Sequence, residues 1–180
     1  MSGAVQPQPE LRTPRLRLRP LRRADAGLIE LYASDAKVAR MTARIPHPYP
    51  PGTAETVVER AIARSGPGTI WALDAGEDAE NGLIGLIELE ATGPGRADLG
   101  YWVAPAFWNT GYASEAVEAV VRHAQDAGLQ ELTASVFQEN AASVKVLLRA
   151  GFTYLGDGEK HSVARAAMVP TFRYRRMLAG

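Results

Sequence analysis

With 180 residues, the chain is long enough to bury one hydrophobic core and has the size of a single domain. Its 20 basic and 20 acidic side chains balance, so no overall charge favours nucleic acid as a partner. The absence of cysteine excludes thiol nucleophiles, disulfides and cysteine-ligated metals. No apolar run is long enough to span a membrane and no signal-peptide pattern is present, so we expect a cytoplasmic protein without a membrane partner.

The N-terminal third begins with a proline-containing stretch and carries many arginines. Residues 1–10 are predicted to be a disordered lead-in, because small and polar residues there surround two prolines. Leucines alternate with arginines over Arg15–Pro20, which predicts a first strand whose arginines face solvent at the sheet edge. Asp25 is expected to cap a helix that runs to about Tyr32, and a short helix is predicted over 35–41.

The next segment combines a stiff loop, a helix and a pair of strands. Four prolines within 45–52 exclude a helix or a central strand, so this loop is either a spacer or one wall of a binding site. Thr53 is expected to cap a helix that ends near 66–68. Strands are predicted over 70–73 and 83–89, joined by an acidic turn.

The centre of the chain has the pattern of a strand followed by a helix. Ala97–Val103 contains aromatic and β-branched residues with few charges, and a helix with a small apolar face follows Gly111. The first N–H groups of a helix lack internal partners and favour an anion, and the small residues Gly111 and Ala113 let a phosphate approach the backbone. The pattern therefore predicts a phosphate-bearing ligand. Glycine also precedes helices that bind nothing, and a nucleotide-binding module of unrelated fold, specific for ATP or NAD, would begin its helix in the same way.

The last third continues the alternation of strands and helices. A strand is predicted over 131–137, and a helix that follows Asn140 stops at Gly151. Closing strands are predicted over 152–155 and 169–177. This order predicts an α/β fold with a mixed sheet in one domain, without internal repeats. The three histidines share no ligand spacing, so no metal is expected.

Several stretches, in order and spacing, resemble the GNAT N-acetyltransferases. Residues 98–103 and 108–116, which read Asp-Leu-Gly-Tyr-Trp-Val and Trp-Asn-Thr-Gly-Tyr-Ala-Ser-Glu-Ala, resemble the acetyl-CoA motif of that superfamily. Asn140–Ser143 together with Leu148–Phe152 resembles its second CoA-contacting segment. Thr13–Leu21 resembles the start of the branch that contains the ribosomal-protein acetyltransferases of the RimJ/RimL type.

The resemblance implies a single GNAT domain over 11–178, following the lead-in. The implied fold is α/β, with a mixed (α+β) sheet. This central sheet is twisted and mostly antiparallel, it is splayed at the CoA site, and helices cover both of its faces. Acetyl-CoA is the implied cosubstrate, no metal is implied, and an amine acceptor is the second partner. A homodimer is left open.

The resemblance also implies which residues contact acetyl-CoA. The implied contacts are Tyr101, Trp102, Val103, Trp108, Asn109, Thr110, Gly111, Tyr112, Ala113, Ser114, Asn140 and Ser143. Trp108 stands where the family commonly has Arg or Gln, so the pyrophosphate is expected on backbone N–H groups of 109–113, without a guanidinium at the start. The pantetheine arm is expected between the strand of Tyr101 and the strand that ends at Phe137. Capping of the next helix is the alternative role of Asn140.

The implied reaction is direct attack of a primary amine on the acetyl thioester. Only the free amine attacks, so the site must accept a proton. Asp98 resembles in position the general-base glutamate of several GNAT enzymes, and Glu88 on the preceding strand is the competing carboxylate; the alternative for both is a solvated charge. Ser143 matches a serine proposed to protonate the departing thiolate, and helix capping is its alternative role.

The resemblance does not fix the acceptor. The branch favours a protein N-terminal α-amine of the ribosomal-protein type. A small-molecule amine (antibiotic, polyamine or amino acid) is the alternative, and a non-catalytic acetyl-CoA sensor is a further one. Acceptor specificity is expected to lie in the N-terminal helices and in the loop 45–52, where the sequence is most individual.

Overall fold

The computed structural model describes residues 7–64, 68–76 and 82–179. The strands are β1 Leu11–Arg12, β2 Arg17–Pro20, β3 Gly68–Asp74, β4 Leu83–Gly93, β5 Arg96–Val103, β6 Glu131–Phe137, β7 Thr153–Ser162 and β8 Ala167–Met177. The helices are α1 Ala26–Ala33, α2 Ala36–Ala39, α3 Thr53–Ala63, α4 Tyr112–Asp126 and α5 Ala141–Arg149. None of these helices is long and apolar enough to cross a membrane.

The eight strands form one sheet in the order β1-β2-β3-β4-β5-β6-β8-β7, and every neighbouring pair except β5 and β6 is antiparallel. β5 and β6 pair only over Arg96–Asp98 and Glu131–Thr133. Beyond these residues β5 stays with β4 as far as Val103, while β6 stays with β8 as far as Phe137. The sheet therefore splays into an opening that we call the β5–β6 gap, which confirms the expected mixed, mostly antiparallel, splayed architecture.

Helices cover both faces of the sheet, as expected. On one face α1 and α3 bury Ile29 and Val58 against Leu86 of β4. On the other face α4 and α5 bury Val117 and Leu147 in the larger of the two cores. Burial of each such aliphatic side chain contributes about 1.5–3 kcal/mol, so the two cores fix the helices on which the site depends.

The N-terminal arginines do not all face solvent, and the expectation for Arg19 was wrong. Arg19 is 5 % exposed; its Nε donates to Asp74 Oδ2 at 2.8 Å and its Nη2 to Asp25 Oδ1 at 2.8 Å. Burial is possible because two carboxylates from elsewhere in the chain neutralise the guanidinium. Asp25 occupies the N-cap position of α1, as predicted, but its side chain accepts from the Arg22 N–H and makes no capping hydrogen bond to the helix.

Two further boundaries differ from the expectation. Gly52, at φ +83°, occupies the N-cap of α3, and Thr53 is the first helical residue rather than the cap. The predicted end of that helix at 66–68 lies partly outside the described residues, as does part of the acidic turn before Gly82. β7 continues to Ser162, because it pairs with β8 along a long hairpin that short-range sequence patterns do not specify.

The lead-in is described only in its second half, since residues 1–6 lie outside the described residues. The Gln8 side-chain amide donates to the Ile70 carbonyl at 2.8 Å, and the Trp71 indole N–H donates to the Pro9 carbonyl at 2.9 Å. Residues 8 and 9 are therefore held against β3.

Candidate active site

A cavity of about 590 Å³ occupies the β5–β6 gap. Residues 98–102 of β5 and 134–137 of β6 line it, together with Asn140 and Ser143 beside α5. Glu88 of β4 lines it from the side of α1 and α3. Because the cavity is lined from both faces of the sheet, two molecules can meet in it from opposite sides.

The residues 108–111, which we call the phosphate loop, connect the short turn after β5 to α4. Asn109 has φ +59° and Gly111 has φ +84°, and Gly111 is the N-cap of α4. The Thr110 hydroxyl donates to the Phe107 carbonyl at 2.5 Å. The first N–H groups of α4, on Tyr112 and the two residues after it, have no partner within the helix and can bind an anion.

Trp108 joins the phosphate loop to the end of β5. Its side chain is 41 % exposed, and its indole N–H donates to the Val103 carbonyl at 2.7 Å. The Ala104 N–H donates to the Ile84 carbonyl of β4, and backbone groups alternate in direction along an antiparallel strand. The backbone groups of Tyr101 and Val103 therefore face the β5–β6 gap. Trp108 occupies the Val103 carbonyl, so the Val103 N–H and the backbone N–H and carbonyl of Tyr101 are the groups that can bind an extended ligand there.

A guanidinium lies at the phosphate loop, where the sequence led us to expect none. Arg15 Nη1 donates to the Thr110 carbonyl at 2.8 Å, and Arg15 Nε donates to Glu115 Oε2 at 2.8 Å. The guanidinium carbon lies 4.4 Å from the centre of the Tyr112 ring. Arg15 is 95 residues from Thr110 along the chain, so no local pattern indicates this contact.

Asn140 and Ser143 lie at the start of α5, where each was expected either to contact acetyl-CoA or to cap the helix. Asn140 Oδ1 accepts from the Ser143 N–H at 3.2 Å, so Asn140 does cap the helix. The Ser143 hydroxyl lies 2.5 Å from the Tyr101 hydroxyl. Burial raises the pKa of Tyr101 to about 12, although the hydrogen bond with Ser143 opposes the rise. Tyr101 is therefore a neutral phenol at physiological pH and can keep donating a hydrogen bond.

Three carboxylates, Glu88, Glu90 and Asp98, lie together on the face of the sheet that α1 and α3 cover; we call them the acid cluster. Burial raises the pKa of Glu88, the charges of Glu90 and Asp98 reinforce the rise, and the charge of Arg44 opposes it. The Thr133 hydroxyl donates to Asp98 Oδ1 at 2.8 Å. In the part of the chain that the structure describes, no group of side chains, this one included, is arranged to hold a metal ion.

Two cations border the acid cluster. Arg44 Nη2 lies 2.6 Å from Glu90 Oε2, and Arg44 Nη1 lies 4.0 Å from Glu88 Oε2. Lys160 Nζ of β7 lies 3.8 Å from Asp98 Oδ2. Sequence analysis missed both cations and Arg15, because each reaches the site from a distant segment.

The predicted site residues divide into two groups. The residues that line the cavity are Glu88, Asp98, Tyr101, Trp102, Asn140 and Ser143. The residues that form the phosphate loop and the first turn of α4 are Trp108, Asn109, Thr110, Gly111, Tyr112, Ala113 and Ser114. Val103 lies between the two groups, at the end of β5.

The family model for the acetyltransferase (GNAT) domain matches residues 15–153. The chain belongs to this family. It is also 32 % identical over 155 residues to the uncharacterized N-acetyltransferase YoaA of Bacillus subtilis (strain 168), and the match covers 80 % of this chain and 82 % of that protein. The GNAT protein described here is therefore an acetyl-CoA-dependent N-acetyltransferase.

Solved structures share the fold of this GNAT protein at low sequence identity. RimL, a ribosomal-protein α-N-acetyltransferase in complex with coenzyme A, is 17 % identical with a TM-score of 0.81, over 94 % of this chain and 98 % of that one. Spermidine N-acetyltransferase from Vibrio cholerae, in complex with CoA and spermine, is 20 % identical with a TM-score of 0.75, over 92 % of this chain and 96 % of that one. These two relatives share one architecture although their names give them different acceptors.

Proposed function

We propose that this GNAT protein transfers the acetyl group of acetyl-CoA to the α-amine of a peptide or protein N-terminus. The arrangement of charge around the acid cluster carries the proposal. The side chains of Glu88 and Asp98 are 31 % and 29 % exposed, whereas those of Lys160 and Arg44 are 44 % and 72 % exposed. Carboxylates thus lie deeper in the cavity and cations nearer its mouth.

This arrangement suits an acceptor with one positive end and a neutral or negative body. A peptide N-terminus presents a single ammonium group to the carboxylates, and the carbonyl groups that follow can accept hydrogen bonds from Arg44 and Lys160. A polyamine carries further ammonium groups along its length, which would meet these two cations as like charges. The same carboxylates would attract both acceptors, so the cations at the mouth provide the discrimination.

The general base in this proposal is Glu88. A base acts best when its pKa lies near the working pH, and burial raises the pKa of Glu88 in that direction. Asp98 is engaged by Thr133 and lies close to Lys160, so we assign it the role of shaping the field around Glu88. Asp98, favoured from the sequence alone, is the competing base.

Acetyl-CoA is proposed to enter from the face of the sheet covered by α4 and α5. Its diphosphate would bind the N–H groups of 109–113, and its pantetheine arm would run along the β5–β6 gap beside Tyr101, in the manner of an added strand. The acetyl group would then lie in the cavity, where the acceptor amine arrives from the opposite face.

In the reaction, the free amine attacks the thioester carbonyl, the carbon–sulfur bond breaks and an amide forms. The amine proton passes to Glu88, directly or through water, and the sulfur leaves as a thiolate that takes up a proton. Ser143 is proposed to donate the hydrogen bond or proton to the sulfur, with Tyr101 as its partner. No covalent enzyme intermediate is needed.

A small-molecule polyamine is the second candidate acceptor. The observation that favours it is the acid cluster itself, together with the fold shared with spermidine N-acetyltransferase. The deciding experiment measures, at a fixed concentration of acetyl-CoA, kcat/KM for peptides that have free α-amines, for spermidine and for free amino acids. We expect the peptides to have the highest kcat/KM. Peptides with a blocked N-terminus should not be acetylated. A higher kcat/KM for spermidine would overturn the proposal in favour of the second candidate.

A further inference from the structure

We propose that Arg15 supplies the guanidinium that the phosphate loop lacks at Trp108, and that it binds the diphosphate of coenzyme A beside Gly111. This inference rests on the proposed placement of acetyl-CoA. The loop reads Trp-Asn-Thr-Gly and so carries no cationic side chain of its own, and its Trp108 hydrogen-bonds to the Val103 carbonyl. Arg15 brings a positive charge to the loop from a different part of the chain.

The position of the Arg15 side chain supports this role. A Cβ atom added to Gly111 would lie 3.1 Å from Arg15 Nη2, so the guanidinium lies directly over the backbone at the N-cap of α4. Nε is used by Glu115 and Nη1 by the Thr110 carbonyl. Guanidinium carries five N–H donors, so Nη2 and part of Nη1 keep donors for a ligand. The Arg15 side chain is 45 % exposed, which leaves it open to a ligand that approaches the loop.

Glu115 fixes the guanidinium in place. Its carboxylate accepts from the Arg15 backbone N–H at 2.8 Å and from the Thr13 hydroxyl, as well as from Arg15 Nε. Burial raises the pKa of Glu115, but the hydrogen bonds from Thr13 and Arg15 outweigh burial and lower its net pKa. Glu115 is therefore ionised and orients Arg15 before any ligand binds, which reduces the entropy lost on binding. One carboxylate does not cancel the attraction of Arg15 for a diphosphate, which carries more than one negative charge.

Arg15 differs from the neighbouring arginines because it also contacts the phosphate loop, through the Thr110 carbonyl. The other five arginines between positions 12 and 23 form ion pairs with Glu10, Asp25, Glu59 and Asp74, which all lie far from the loop along the chain. Arg12, for example, is an exposed arginine whose partner is Glu10. Arg12 therefore provides a matched control for the loss of one positive charge.

The experiment measures binding of CoA, 3′-dephospho-CoA and pantetheine by isothermal titration to the wild type and to R15M, R15K and R12M. For R15M we expect affinity for CoA and for 3′-dephospho-CoA to fall at least about tenfold, the effect of losing one charge-assisted hydrogen bond, with pantetheine binding unchanged. R15K should recover part of the loss, because it keeps the charge, and R12M should bind like the wild type. Circular dichroism checks that each variant is folded.

Three results would overturn the proposal. An equal loss for pantetheine would mean that Arg15 only holds the fold, and a loss confined to CoA would move the contact to the 3′-phosphate. If the wild type binds CoA and R15M binds it equally well, Arg15 has no such role while the proposed function stands; if the wild type does not bind CoA, the proposed function fails with it.

Discussion

The Tyr101 hydroxyl lies 2.5 Å from the Ser143 hydroxyl and joins the strand that borders the β5–β6 gap to the first turn of α5. Ser143 is a poor acid when isolated, because a hydroxyl group has a high pKa. A phenol that donates to Ser143 makes the serine proton easier to release toward a thiolate. The two residues therefore form one unit in the proposed protonation of the leaving group.

Removal of either hydroxyl should slow the reaction. We expect S143A and Y101F each to lower kcat at least about tenfold, with little change in the KM for acetyl-CoA, since general acids contribute about 10²–10⁴-fold. The double variant should be no slower than the slower single one, because the residues act as a unit. Y154F is the matched control, since the exposed Tyr154 donates to Asp157 instead. If the two losses in kcat add up in the double variant, Ser143 and Tyr101 act independently and not as one unit.

Gly111 should be required for coenzyme binding and not only for folding. Its φ of +84° strains any other residue, and a Cβ atom would meet Arg15. Gly128 has φ +80° with nothing within 4 Å of an added Cβ, so G128A measures the backbone strain alone. We expect G111A to weaken CoA binding at least about tenfold, the size of one lost charge-assisted hydrogen bond, and G128A to leave it unchanged. Similar CoA affinities in the two variants would place the phosphate loop elsewhere.

Sequence patterns predicted the elements of the candidate site that are encoded locally in the chain. The strand over Ala97–Val103, the helix start at Gly111 and the helix start after Asn140 are encoded by periodicity and small residues within short windows. Arg15 and Arg44 were missed because their partners lie 95 and 46 residues away, and a pairing at that distance leaves no periodic signal. Arg19 was expected to be exposed because one of the two carboxylates that allow its burial, Asp74, lies 55 residues away.

The acid limb of the pH profile should report on Glu88. The ordinary pKa of this side chain is 4.5, and burial together with Glu90 and Asp98 raises it. The acceptor α-amine itself titrates with a pKa of ~7.7–8.0, so kcat/KM is expressed per unprotonated amine. The base works only when deprotonated, so this corrected kcat/KM should rise with pH through an apparent pKa above 4.5 and level off at higher pH. E88Q should remove this limb and lower the plateau at least about tenfold. If D98N loses the limb and E88Q keeps it, the base is Asp98.

Arg44 should control both that pKa and the choice of acceptor. Its positive charge opposes the raised pKa of Glu88, so R44Q should move the acid limb of kcat/KM to higher pH. R44Q should also raise kcat/KM for spermidine relative to a peptide, since one like charge at the mouth is gone. R122Q, which removes an exposed arginine of α4, is the control and should change neither quantity. An unchanged acceptor ratio in R44Q would remove the argument for a peptide acceptor.

A peptide α-amine is proposed to reach the acid cluster and to be acetylated there. A competition tests this: one peptide with a free α-amine and an internal lysine is mixed with spermidine and limiting acetyl-CoA, and the acetylated products are identified by mass spectrometry. We expect acetylation of the α-amine by the wild type and at least about tenfold less product with E88Q. Acetyl groups mainly on spermidine or on the lysine, or an E88Q variant as active as the wild type, would contradict it.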